Sequence, residues 1–185
     1  MRRQRFRFYA VKLCGLMFLI FIAQLLISGF TELFLLDGSA FSEIWRFVTA
    51  IFLHGGFAHL LYNVFALGLF GSILERLIGG KRFLILFFVT GVLANIVSVN
   101  FYDASLGASG AIFGVIGALI FVRPWMLVWA FGLPMPIVIA GVLWAAGDLI
   151  GLFVPSQVAN LAHLSGMGFG LILGALYRRK SLRIV

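Results

Sequence analysis

Gly107-Ala108-Ser109-Gly110-Ala111-Ile112-Phe113-Gly114-Val115-Ile116-Gly117-Ala118-Leu119-Ile120-Phe121-Val122-Arg123-Pro124 is an apolar run opened by small residues and closed by a charge and a helix breaker. Its unbroken hydrophobicity predicts a helix among lipid or other helices, starting at Ser109 and stopping before Arg123-Pro124. Gly107, Ala108 and Gly110 around a hydroxyl admit two readings. They are the small residues with which membrane helices pack, or they leave room for other atoms to close in on Ser109.

The rest of the chain fits a membrane setting. Of 185 residues, 63% are hydrophobic and 11% charged, too little polar surface to cover a soluble globule. Apolar runs cover residues 10–30, 57–78, 83–101, 109–122, 136–153 and 158–177, which predicts six transmembrane helices in one all-α domain over 1–185, with short tails at 1–9 and 178–185. The basic start followed by an apolar stretch resembles a signal peptide, but no small-residue cleavage site follows, so it reads as a retained first helix. The single cysteine, Cys14, excludes an internal disulfide.

A net charge of +8 invites a nucleic-acid reading, yet the charges sit at the ends of apolar runs and form no solvated basic face. They set topology instead. Thirteen of the fourteen Lys and Arg residues fall on one side, which predicts a multi-pass protein of the cell membrane with both termini cytoplasmic. Segments 31–56, 102–106 and 155–157 then face outward. Arg46, in the first of them, is the exception. Segment 126–135, with Trp125 and Trp129, reads as an interfacial stretch or as an early start of the fifth span.

Polar groups inside spans are costly and call for a reason. His59, Asn63, Glu75, Asn95, Ser109, Asp148, Asn160 and His163 are the candidates. Ser109 to Arg123 rises only about 21 Å against a hydrocarbon core of about 30 Å, so Ser109 starts its helix roughly 10 Å below the outer surface. Counted from cytoplasmic ends, His163 and Asn63 rise about 21 and about 22 Å. Three spans thus bring polar residues to one level, with His59 one turn above Asn63 on the same face. Serine beside histidine is a nucleophile with its base. The oxyanion formed on attack finds donors in the Ser109 backbone N–H at a helix N-terminus, in Asn63 and in His59. Phe113, one turn below Ser109, is placed to pack on the imidazole. Gly166, Gly170 and Gly174 form a double small-xxx-small pattern that predicts close packing of the sixth span on the fourth. Glu75 reads as a helix-end anchor and His54 as a loop tie. Asp148, near the outer end of its span, is set aside as a third catalytic member because a dyad works without one.

These residues resemble the rhomboid intramembrane serine proteases. The similarity lies in Trp45-Arg46, His54-Gly55-Gly56, His59-Leu60-Leu61-Tyr62-Asn63, Gly71 with Glu75 and Gly79, Gly107-Ala108-Ser109-Gly110, and Ala162-His163 with Gly166 and Gly170, in that order. What the resemblance implies is a six-helix core in which Ser109 is nucleophile and His163 general base, His59 and Asn63 line the oxyanion hole, and the Trp45-Arg46 loop supports the membrane edge. It implies no metal and no cofactor, with transmembrane proteins as substrates cut near the outer face. Relatives lacking the serine or histidine act as non-catalytic client-binding or chaperone proteins, the alternative function. A small transporter is a further possibility, but its polar residues would be staggered through the bilayer, whereas these share a level.

Overall fold

Structure is described for residues 6–154 and 158–182 in a computed structural model. The expected outer loop 155–157 and the basic residues Arg2, Arg3, Arg5 and Arg183 lie outside the described residues. The chain is mostly helical, with helices where the apolar runs lie: α1 (Tyr9–Leu26), α2 (Phe57–Ile78), α3 (Gly80–Ser98), α4 (Ser109–Val122), α5 (Ile137–Gly151) and α6 (Asn160–Leu182). Among the described residues α1, α2 and α3 are long and apolar enough to cross a membrane, and α4 and α5 are apolar but shorter.

The order of packing follows from residue size. Nearly every residue of α4 from Gly110 to Leu119 is buried, which makes it the central helix. Its glycines admit neighbours on two sides. A Cβ at Gly114 would stand 2.2 Å from Thr90 Oγ1 of α3, and one at Gly117 2.2 Å from the Met167 carbonyl oxygen of α6. The α4–α6 contact is the most extensive between any two helices. α2 contains a π-helical turn at Leu67–Gly71, where Gly71 lets Ala10 of α1 approach. Cys14 is packed there, with its thiol on the Val64 carbonyl oxygen at 3.4 Å. Gly79 (φ 86) separates α2 from α3.

Two local features depart from an all-α expectation. Leu36–Asp37 (β1) pairs antiparallel with Ala104–Ser105 (β2), tying the first outer segment to the loop before Ser109. Leu127–Ala130 (β3) and Leu133–Pro136 (β4) form a hairpin, so segment 126–135 is not an early start of the fifth helix. Its turn residues Phe131 (φ 55) and Gly132 (φ 79) both lie in the left-handed region, as in a type I′ two-residue hairpin loop. Val128 and Ala130 face inward, while Leu127 and Trp129 stand exposed.

The first outer segment folds around Arg46. One guanidinium nitrogen donates to the carbonyl oxygens of Glu32 (2.9 Å) and Leu35 (2.8 Å), the Nε to Glu43, and Asp37 lies 3.6 Å away. The cation is satisfied within its own segment. Phe41, Ile44, Trp45 and Val48 point outward and leave an apolar outer face.

Candidate active site

The N-terminus of α4 is the floor of the site. Gly107 (φ 121) precedes it in a conformation that favours glycine, and a Cβ there would lie 2.7 Å from His59 Cε1 and 2.8 Å from Nε2. The missing side chain at Gly107 is thus the space the His59 ring fills. The Gly107 amide donates to the Ala50 carbonyl oxygen at 2.8 Å, which fixes the turn on the outer segment. Ser109 itself is half-buried, and its hydroxyl bonds to no described residue. It opens α4, so its amide belongs to the first turn, whose N–H groups lack helical acceptors.

His163 reaches this turn because two backbones touch. A Cβ at Gly166 would stand 2.1 Å from the Gly110 carbonyl oxygen, and one at Gly170 2.0 Å from that of Gly114. With α6 held that close, the His163 ring stacks on Phe113, with ring centres 4.4 Å apart and planes at 8°. Phe113 is one turn beyond Ser109, so the imidazole lies along the Ser109 face of α4. The start of α6 is held independently. Tyr102 accepts from the Leu161 amide at 3.1 Å, and Gly151 leaves room for Asn160, whose amide nitrogen would be 2.7 Å from any Cβ there.

Asn63 is buried on α2, its side-chain nitrogen donating to the His59 carbonyl oxygen at 2.8 Å, with no partner for Oδ1 among the described residues. His59 Nδ1 accepts a long contact (3.4 Å) from the Gly55 amide, leaving Nε2 as the donor nitrogen toward Gly107. His54 packs edge-on against His59 with ring centres 5.1 Å apart. It is tied to α1 through Gln24, which accepts from the His54 amide at 2.9 Å. Burial, then the neighbouring His59, pushes His54 down from its ordinary 6.5 to about 4, so it is neutral near pH 7.

Glu75 lies far from this cluster. It is buried, and its carboxylate oxygens accept from the backbone amides of Arg7 and Ala10, each at 3.1 Å, at the start of α1. Trp45 and Arg46 are likewise remote, in the outer segment.

Asp148, which its sequence position sets aside as near the outer end of its span, places Oδ1 3.0 Å from His163 Nδ1, with both side chains nearly buried. The depth count applied to the other residues would have found it: eleven steps from Ile137 raise Asp148 about 17 Å, close to the level of His163. No group of His, Cys, Asp and Glu suited to hold a metal ion occurs among the described residues.

Comparison with known proteins bears on this arrangement. Residues 42–180 match the family model described as the rhomboid domain. The chain is 34% identical to YdcA of Bacillus subtilis over 149 residues, covering 79% of this chain and 73% of YdcA. It is 33% identical to rhomboid protease GlpG of Haemophilus influenzae over 175 residues, covering 88% of this chain and 86% of GlpG. Rhomboid protease GluP of Bacillus subtilis is 36% identical over 140 residues, although these make up only 26% of GluP.

Proposed function

The chain belongs to the rhomboid family, and on that premise we propose that it is an intramembrane serine endopeptidase in which Ser109 is the nucleophile and His163 the general base. The observation that carries the proposal is the stack of His163 on Phe113, one turn from Ser109, at a level where α4 and α6 touch through backbone. In this reading the six helices are six spans of a single domain over 1–185, in the cell membrane with both termini cytoplasmic. The apolar face of Phe41, Ile44 and Trp45 sits at the membrane edge.

Chemistry follows from the groups. The Ser109 Oγ–H bond breaks as Oγ bonds to the scissile carbonyl carbon, and His163 Nε2 takes the proton. Charge developing on the carbonyl oxygen meets the Ser109 amide at the helix N-terminus, His59 Nε2–H and the Asn63 amide. The proton then passes to the leaving amine as the C–N bond breaks. Water repeats the cycle on the acyl-enzyme. The presence of both Ser109 and His163 argues against a client-binding protein that does not cut.

Labelling by a fluorophosphonate tests the pair. In detergent the wild-type protein is expected to be labelled at Ser109, with labelling slowed at least about 100-fold in His163→Ala, since general-base assistance contributes about 10²–10⁴. Equal labelling of the two proteins would remove His163 as the base.

Substrates on this reading are transmembrane segments of other proteins. Ser109 lies roughly 10 Å below the outer surface, and helical carbonyls are bonded and shielded, so a substrate helix must unwind locally to be cut. A single-span substrate with a Gly-Ala pair in the outer half of its helix is expected to be cleaved there in preference to one with the pair in the inner half. Mass spectrometry of the products reads the position. Cutting at the cytoplasmic end would overturn both topology and depth.

A further inference from the structure

We propose that Asp148 is a positioning residue for this reaction: it holds His163 in the tautomer that frees Nε2 for Ser109 and balances the charge the ring gains, an extension that rests on Ser109 and His163 being the reacting pair.

Two contacts fix the imidazole. The Phe113 stack (4.4 Å, 8°) sets the plane of the ring but leaves it free to turn within that plane. The Nδ1 to Oδ1 contact at 3.0 Å removes that freedom. An ionised carboxylate only accepts, so Nδ1 must carry the proton, and the lone pair is left on Nε2, the atom a general base needs. Neither contact alone specifies both plane and tautomer.

The placement of Asp148 is otherwise hard to justify. It is 8% exposed, and its Oδ2 has no partner among the described residues. A buried carboxylate with half its acceptor sites unused is destabilising, and replacing it with an apolar residue would commonly relieve the fold. It is also a short side chain on α5 reaching a ring on α6, which requires close helices. Gly151, one turn further along, provides that approach by admitting Asn160 of α6. What Asp148 contributes grows during the reaction. When Ser109 Oγ–H breaks and Nε2 accepts the proton, His163 becomes a cation beside a carboxylate; when Nε2 gives the proton to the leaving amine, the ring is neutral again. The Nδ1–H proton stays on Nδ1 throughout, so none passes to Asp148. An attraction that strengthens only in the charged state lowers the barrier rather than merely tightening substrate binding.

Ionisable groups near the ring are Asp148 from α5, which contacts it, His59 from α2, and Tyr102, whose hydroxyl accepts from the Leu161 amide. α4 carries none, and the charges of α3, Lys81 and Arg82, stand at its opposite end. A change in His163 titration on altering Asp148 is therefore separable from other charges.

Three measurements on the full chain in detergent test the proposal. In Asp148→Asn, kcat is expected to fall about 10²–10⁴-fold with KM little changed, and Asp148→Glu to recover part of the loss. The acid limb of the kcat/KM profile of Asp148→Asn should move to lower pH, because the imidazolium has lost its counter-charge. Independently of any Asp148 variant, ¹⁵N shifts of His163 in Ser109→Ala protein, recorded at a pH high enough for the ring to be neutral, should report the proton on Nδ1. Wild-type kcat and pH profile in Asp148→Asn, or an Nε2-protonated neutral ring, would overturn the role of Asp148. Should Asp148→Asn fail to fold, the ¹⁵N result alone decides. Full cleavage by Ser109→Ala would instead sink the underlying reading, so the two failures are distinct.

Discussion

Ser109→Ala is expected to lose cleavage of a single-span reporter by on the order of 10⁴-fold or more, with the protein still folded. The hydroxyl bonds to no described residue, so its removal leaves no buried group unpaired. His163→Ala should cost a similar amount, and the double variant little more than either single one, because nucleophile and base act as a unit. Asn63→Ala should be milder, about 10²–10³-fold, since the Ser109 amide and His59 remain as donors. Product bands from purified protein in detergent or liposomes, with circular dichroism as the check on folding, read all four. Substantial cleavage by Ser109→Ala would end the serine mechanism, and full activity in an Asn63→Ala, His59→Ala protein would take both from the oxyanion hole.

Gly170→Ala is expected to cost on the order of 10²-fold in turnover while Gly168→Ala costs almost nothing. The two glycines are two residues apart on α6, yet a Cβ at Gly170 would fall 2.0 Å from the Gly114 carbonyl oxygen and 2.8 Å from its Cα, whereas nothing lies within 4 Å of one at Gly168. The obstruction is backbone, so no side chain can swing aside; α6 must retreat and carry His163 with it. A misplacement of about 1 Å between reacting groups is enough for a loss of that size. Gly166→Ala, with 2.1 Å to the Gly110 carbonyl oxygen, should behave like Gly170→Ala. Turnover and thermal midpoint measured together distinguish displacement from unfolding. Wild-type turnover in Gly170→Ala would mean that the helices do not meet through this face.

Much of this arrangement was legible because burial in lipid leaves long apolar signatures. The run 57–78 coincides with α2, and the run from Ser109 to Val122 with α4, since Gly107 before it and Arg123-Pro124 after it are unambiguous stops. Pairing between distant short segments left no such trace. Leu36–Asp37 meets Ala104–Ser105 across much of the chain, and two-residue strands have no periodicity to read. The β3–β4 hairpin was obscured differently: Phe131 takes a left-handed turn position where glycine or asparagine would have announced it. The contact of Asp148 with His163 is legible from height along the span, the measure that groups Ser109, His163 and Asn63, and not from which end of the span Asp148 is near.

The Glu75 contact bears on how the chain is made. No side-chain cap closes α1 at Phe8, the residue before the helix; the Ala10 amide instead donates to a carboxylate that follows it by 65 positions. A ribosome has therefore to finish α1, the whole outer segment and most of α2 before that end of the first helix is closed. Until then the Ala10 amide is without the acceptor it has in the folded chain, so that end of α1 is completed only once α2 has packed beside it.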